Sequence, residues 1–386
     1  MNKKVIFLHF FALVSGIVMN IVHPITPMYL RNLNISDYMF GIFFAVMNLG
    51  VFISSPFWGN LGDRKQKRFI IALGFFGYAI CQFLFGSFSN PLYIGLARFG
   101  AGFFIAAFQV ATLAYLLDEK FENQKMHLSI YLALIVLGAS FGYLIGGHLG
   151  EVYPTRTIFY IQSLSSIGMV LLSLGLIEKK KEDVSVNRNP FSPFKALKEL
   201  DSKLTFLFIV IVVANMAIIN FSKYIDLYID DLNYSSKMIG NINFVSGLVT
   251  IVVTLFIVPK LLNKVKPIRL GIISLFFAGV FSFIVFIMPN KYFLILVYSL
   301  FMVYISFKTI YEPAIINHIN EQKGSTGILM GLRQSALALG AVIGPLLGGL
   351  LYNEIKVYLF VVLSLLLIIA SGLLMIYQKR RTKVWL

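Results

Sequence analysis

Charge is scarce in this chain, tryptophan is rare and cysteine is almost missing: of 386 residues 13% are charged, two are Trp and one, Cys81, is Cys. A single cysteine rules out a disulfide framework and a Cys-based metal site, and it leaves the redox compartment open. His9, His23, His127, His148 and His318 are scattered without metal-ligand spacing. The sequence shows no phosphate-binding loop and no nucleophile elbow, and outside the central charged segment its joints are too short for a catalytic domain. An enzyme, a non-transporting receptor and a pump with its own ATP motor therefore find no support. The net charge of +16 could suggest nucleic acid, but Lys and Arg fall between apolar runs instead of gathering on a solvated face.

What is present is apolar. Hydrophobic residues make up 58% of the chain, and runs such as Leu204 to Ala214 and Val357 to Ala370 are apolar nearly all round, which suits lipid as the solvent. Stretches of about 20 apolar residues between polar breaks give about twelve spans. They begin near Val5, Tyr38, Phe69, Leu92, Leu128, Thr157, Leu204, Met238, Ile268, Tyr292, Gly327 and Val357. Met1 to Lys4 before an apolar run resembles a signal peptide, yet no small-residue cleavage pattern precedes Pro24 and Pro27, so the run reads as the first span. Polar joints at Gly59 to Arg68, Asp118 to Lys125, Glu178 to Lys203, Pro259 to Lys266 and Asn320 to Ser325 all fall on one side. With both termini on that side, the opposite loops carry only Arg31, Arg156, Lys237, Lys291 and Lys356. Arg98, Lys223, Lys308 and Arg333 lie within spans, and the remaining basic residues face the cytoplasm, as the positive-inside rule requires.

The segment from Glu178 to Lys203, with Pro190 and Pro193, divides the chain into residues 1–178, a linker over 179–203 and residues 204–386. The two halves repeat each other. Tyr29, Leu33, Asn34, Ser36 and Gly41 recur at one constant offset as Tyr228, Leu232, Asn233, Ser235 and Gly240. Gly138, Gly142, Gly146 and Gly147 recur at a slightly longer one as Gly340, Gly344, Gly348 and Gly349. The expected fold is all-α: twelve transmembrane helices in two pseudo-symmetric six-helix bundles. Duplicated halves of this kind place a binding site near the midplane and let one half rock against the other, which is a transporter's geometry.

Four signatures resemble the major facilitator superfamily, specifically its twelve-helix drug:proton antiporter branch. Gly59-Asn60-Leu61-Gly62-Asp63-Arg64-Lys65-Gln66-Lys67-Arg68 matches the family's loop between the second and third helices, with Gln66 where Gly is usual and Lys67 where Arg is usual. Arg98, Gly102 and Ala106 match the fourth-helix motif, and His23-Pro24-Ile25-Thr26-Pro27 resembles the paired prolines closing the first helix. The fifth span carries the antiporter glycines, with Tyr143 in place of a proline; the Gly-Pro pair stands in the eleventh span as Gly344-Pro345. The resemblance covers the whole chain. It implies proton-coupled efflux of small amphipathic molecules or drugs by alternating access, with no cofactor beyond the proton gradient. It also implies a latch in which Lys67 pairs with Asp118, and associates Arg98 with proton coupling.

Each motif has a physical reading as well. Glycines at four-residue spacing let helix backbones approach, so the stripes Gly138, Gly142, Gly146 and Gly340, Gly344, Gly348 with Pro345 are expected to pack closely and slide at the interface between halves. Asp63, beside Gly59 and Arg64, is placed to act on the positive end of the eleventh helix near Ser325 and Thr326, where a carboxylate is worth roughly 0.3–1 kcal/mol. The alternative is that this basic cluster only fixes topology and touches anionic lipid.

Ionisable residues inside spans carry the functional reading, since a midplane charge costs at least about 2.5–3.5 kcal/mol on insertion scales. Lys308 and Glu312 are spaced i,i+4, and Lys223 and Asp226 share an outer half-helix. Asp226 and Glu312 are the proton-coupling candidates, tuned by Lys223, Lys308 and Arg98, while static salt bridges are the competing explanation. Arg333 is expected to snorkel or to pair with a loop acid. Asn20, Gln109, Asn215, Asn243, Tyr304 and Phe307 join Lys223 and Lys308 as substrate-cavity candidates, with helix-to-helix bonding the alternative for the amides. Two intramembrane lysines and Arg98 leave a second cargo open, an anionic or zwitterionic metabolite such as a siderophore-like chelator. The expected partners are a small-molecule substrate, protons and membrane lipid, without nucleic acid. The expected state is a monomer in a prokaryotic inner (plasma) membrane.

Overall fold

The structure, a computed structural model, describes residues 3–118, 124–175, 202–257, 260–261, 264–285, 287, 290–308, 312 and 326–382. Every regular element among them is helical, the outcome expected where no water is at hand to satisfy an open backbone. In chain order the helices are α1 (Lys3–Asn20), α2 (Thr26–Asn32), α3 (Asp37–Arg64), α4 (Lys67–Ser87), α5 (Pro91–Asp118), α6 (Gln124–Val152) and α7 (Thr155–Leu174). They continue with α8 (Ser202–Asp231), α9 (Ser236–Val252), α10 (Pro267–Ile284), α11 (Lys291–Ser306), α12 (Thr326–Ile355) and α13 (Leu359–Thr382). Among the described residues ten stretches are long and apolar enough to cross a membrane; the last, Ser335–Lys379, comprises most of α12 and α13, and Lys291–Ser306 is a shorter apolar helix. The chain is a multi-pass membrane protein.

Prolines and asparagines punctuate the chain. The first span breaks at a 3-10 turn, His23–Ile25, and resumes as α2, with prolines at the first positions of both pieces. Asn34 and Asn233 take left-handed backbone conformations, φ 55° and 58°, at matched points of the repeat where the chain turns after a helix; Asn tolerates this geometry better than most side chains. Asn90 and Asn290 cap α5 and α11 by accepting from the backbone N–H of Leu92 (2.9 Å) and Tyr292 (3.0 Å). The expected polar joint over Gly59 to Arg68 is mostly helix: α3 continues to Arg64 and α4 starts at Lys67, leaving Lys65 and Gln66 as the link. The polar residues there satisfy their backbone within the helix, so hydrophilicity misplaced the boundary. The segment expected to be a linker lies almost wholly outside the described residues.

Two compact units emerge, one of residues 1–191 with 233–244, the other of 192–232 with 245–386. In the first, α6 packs on α1, α3 on α5, and α4 on α5 and α7. Its centre is aromatic: Phe75 stacks on Phe108 at 4.4 Å and meets Phe11 edge-on, while Trp58 Nε1 donates to the Phe103 carbonyl at 2.8 Å. In the second, α12 packs on α8, α13 on α8, and α10 on α13, around a stack of Phe221 on Phe301 at 3.9 Å with Phe360 edge-on.

The glycine stripes build the matching helix pairs. A Cβ on Gly138 or Gly142 would collide with the carbonyl oxygens of Leu13 and Ile17 on α1, and one on Gly146 with that of Ile21 just after it. In the second unit, a Cβ on Gly340 or Gly344 would meet the carbonyl oxygens of Val212 and Met216 at 2.9 Å, and one on Gly348 would meet the Asn220 side chain on α8. The contacts fall at matched positions of the repeat, with the Ile21 carbonyl of the first unit answered by the Asn220 side chain in the second. The stripes pack α6 on α1 and α12 on α8. Gly147 faces elsewhere, approaching Gly240, and its carbonyl accepts from the buried Ser236 hydroxyl at 3.0 Å.

Candidate functional site

The embedded charges gather in the second unit. Glu312 is 2% exposed, and its Oε2 receives Arg333 of α12 through Nε at 2.9 Å and Nη2 at 2.7 Å. Lys308 is the i,i+4 neighbour, 4.0 Å from Oε1; its short hydrogen bond goes to Oδ1 of Asn215 on α8. Asn215 is held in turn, because its Nδ2 donates to the Leu337 carbonyl of α12 at 2.6 Å. The expected Lys308–Glu312 pair is therefore one side of a larger cluster. Arg333, expected to snorkel or to seek a loop acid, is the closest partner of Glu312: a guanidinium fork can grip a carboxylate that a point-charge ammonium only approaches. Behind Glu312, Leu207, Val210, Ile211, Ala214, Leu275 and Leu374 wall a small apolar cavity with room for about one water molecule.

Further along α8, Asp226 is buried, as is Tyr298 of α11, and the Ser222 hydroxyl donates to the Ile218 carbonyl of its own helix at 3.0 Å. Lys223, a turn from Asp226, is half-buried. Phe307 is buried, and Tyr304 stacks on Phe277 and Phe281 of α10 at 5.1 and 5.7 Å, so the Tyr304 ring is committed to helix packing. Asn20 and Asn243 donate to carbonyls of their own helices, Gly16 at 2.9 Å and Ile239 at 3.0 Å, which relieves their burial without a ligand. Gln109 is exposed on α5.

Arg98 occupies the first unit in a different way. It is 3% exposed, with its guanidinium 4.0 Å over the Phe85 ring, 5.9 Å from Phe44 and 3.7 Å from Met47 Sδ. Among the described residues no carboxylate pairs with it; rings and a thioether hold the charge. Nearby, Gln82 Nε2 donates to Gln162 Oε1 and reaches the Tyr78 hydroxyl, both at 2.5 Å, while Gln162 Nε2 donates to the Val18 carbonyl at 2.8 Å. This buried network ties α1, α4 and α7. Gln82 and Tyr78 escaped the sequence reading, although a lone glutamine between Cys81 and Phe83 in an apolar run is itself a signal. The partnership of Arg333 with Glu312 had none, being set by tertiary packing between α12 and the segment after α11.

Of the latch residues, Gly59 lies inside α3, where a Cβ would have only ordinary contact with Val110, and Lys67 is buried at the start of α4. The side chains of Asp63, Arg64 and Asp118 lie outside the described residues, as do Ser325 and the pairings expected with them.

The comparisons with known proteins agree with this architecture. A family model described as Major Facilitator Superfamily matches residues 8–323. Quinolone resistance protein NorA of Staphylococcus aureus (strain MSSA476) is 26% identical over 372 residues, covering 95% of this chain and 95% of that protein. Multidrug resistance protein 2 of Bacillus subtilis (strain 168) is 22% identical over 376 residues, covering 95% and 93%. Among solved structures, a bacterial homolog of the human lysosomal transporter Spinster, in an inward-facing and occupied conformation, superposes with a TM-score of 0.76 at 14% identity, covering 97% of this chain and 96% of that one. The nucleoside transporter NupG gives 0.74 at 14% identity, covering 98% and 100%; at such identity the likeness speaks for the fold. With the family model spanning most of a helical chain built from two matched units, this protein belongs to the Major Facilitator Superfamily and is a membrane transporter of small molecules.

Proposed function

We propose that this transporter exports small amphipathic molecules, drugs among them, in exchange for protons, exposing its cargo site to either side of the membrane in turn. The observation that carries the reading is Glu312, a carboxylate buried among membrane-spanning helices, gripped by Arg333 with Lys308 4.0 Å away. Such a group is costly in lipid and marks a proton or substrate path. Asp226, buried on α8, is the second proton-coupling residue of the proposal. The likeness to the quinolone and multidrug resistance proteins over nearly the whole chain supports drugs as cargo.

Both termini face the cytoplasm of a prokaryotic plasma membrane in this reading, the transporter works as a monomer, and it needs no cofactor beyond the proton gradient. Asp63, Arg64, Lys67 and Asp118 form the cytoplasmic latch. Proteoliposomes under an imposed pH gradient test the proposal: wild type accumulates a cationic dye, whereas Glu312→Gln loses proton-driven uptake while still exchanging dye down its own gradient. Proton-driven transport at the wild-type rate in Glu312→Gln would remove that residue from the mechanism. A second reading, an anionic or zwitterionic metabolite, is favoured by Arg98, which has no carboxylate beside it among the described residues. Competition by dye cations against polycarboxylates separates the two.

A further inference from the structure

In the second unit two cations converge on one carboxylate, and the bonding is unequal. Arg333 brings both Nε and Nη2 to Oε2 of Glu312, a charge-assisted grip that satisfies that oxygen. Lys308 stands 4.0 Å from Oε1, beyond hydrogen-bond distance, and its short bond goes to the neutral Asn215 Oδ1. Asn215 has no freedom to flip, because its Nδ2 is spent on the Leu337 carbonyl; that bond assigns Oδ1 to the lysine. Among the described residues no other carboxylate lies within ion-pair reach of Lys308 or Arg333.

With Glu312 ionised, the described members of the cluster, Lys308, Arg333 and Glu312, carry one positive charge in excess, and an uncompensated charge among membrane-spanning helices is expensive. An ammonium carries three donors; Asn215 takes one and Glu312 draws weakly on a second, so at least one remains for a ligand. The Lys308 side chain also keeps 12% of its accessible surface, against 3% for Glu312, so a small group can reach it. The first unit has the same imbalance, with Arg98 buried among rings and no acid beside it among the described residues.

We propose that Lys308 is the docking point for an anionic group on the cargo, such as a carboxylate or sulfonate, with Asn215 holding the ammonium in place to receive it. This deepens the export reading and rests on it for the word cargo, but binding at Lys308 is measured separately from export. Three matched probes suffice: pyrenebutyrate, its methyl ester and a pyrenebutyl trimethylammonium ion, each titrated against the full-length protein in nanodiscs and then offered to proteoliposomes. Wild type is expected to bind the carboxylate about tenfold or more tightly than the ester, the scale of one charge-assisted hydrogen bond. Lys308→Gln is expected to erase that preference, and Lys308→Arg to keep most of it. Asn215→Leu lowers carboxylate affinity without touching the ester. Wild type that ranks the ester or the ammonium ion first overturns the proposal without recourse to any variant, as does a preference that survives in Lys308→Gln. Selective carboxylate binding without transport of any probe would leave the docking point standing and sink the export reading. Export of the ammonium ion with no carboxylate preference would do the reverse.

Discussion

The two units share a scaffold and differ in what they enclose. In both, the first long helix packs on the fifth through three glycines that touch matched positions of the repeat. In the first unit a network of neutral amides and a phenol lies near a guanidinium resting on Phe85. Inside the second, Lys308, Glu312 and Arg333 form a charged cluster wired to Asn215. Duplication fixed the helix pairing, and the interior chemistry then diverged. The glycines cannot change without separating backbones, whereas a buried side chain can be exchanged if its partners change with it.

The sharpest way to break this comparison is at the clamps, which are not equally tight. Gly146→Ala drives a methyl group into the Ile21 carbonyl and is expected to yield no monodisperse protein. Gly344→Ala, whose Cβ meets the Met216 carbonyl at 2.9 Å, is expected to fold with a loss of about 1–3 kcal/mol. Size-exclusion profiles and thermal unfolding in detergent read both, and equal effects would mean that the clamps are equivalent. Next comes the charge. Glu312→Ala strands two cations and is expected to cost about 3–5 kcal/mol. Arg98→Met removes a cation that leaves no acid behind and is expected to change stability by no more than about 1 kcal/mol. Denaturant or thermal titrations compare the pair, and a strongly destabilised Arg98→Met would reveal a partner that the cage of rings does not supply. The smallest effect belongs to single helix-to-helix hydroxyls: Ser282→Ala, which frees the Phe360 carbonyl, is expected to cost about 0.6 kcal/mol.

Much of the fold could be read from the chain because lipid enforces simple rules. Apolar length marked the spans, and each expected start falls at or beside a helix of the structure. The offset between Asn34 and Asn233 announced a repeat that their shared backbone conformation repeats in geometry. The glycine stripes were visible as close-packing surfaces, but a stripe does not name its partner, and the packing of α6 on α1 needed coordinates. At the site, Lys308 and Glu312 were legible because i,i+4 spacing is local. Asn215 stood out as a buried amide and Arg333 as a charge within a span, but their bonds to Lys308 and Glu312 could not be read, since what brings them to the cluster is the packing of α8 and α12 around it. Tyr304 and Asn20 show what a sequence leaves open: an aromatic ring or an amide in a span has packing and own-helix bonding available beside any cargo.

The link between α3 and α4 has a mechanical consequence. Lys65 and Gln66 are both extended, and two such residues reach only about 7 Å. A tether that short has no slack to give, so the facing ends of these two helices stay together whatever each does along the rest of its length. A pull on the basic cluster at this hairpin reaches both.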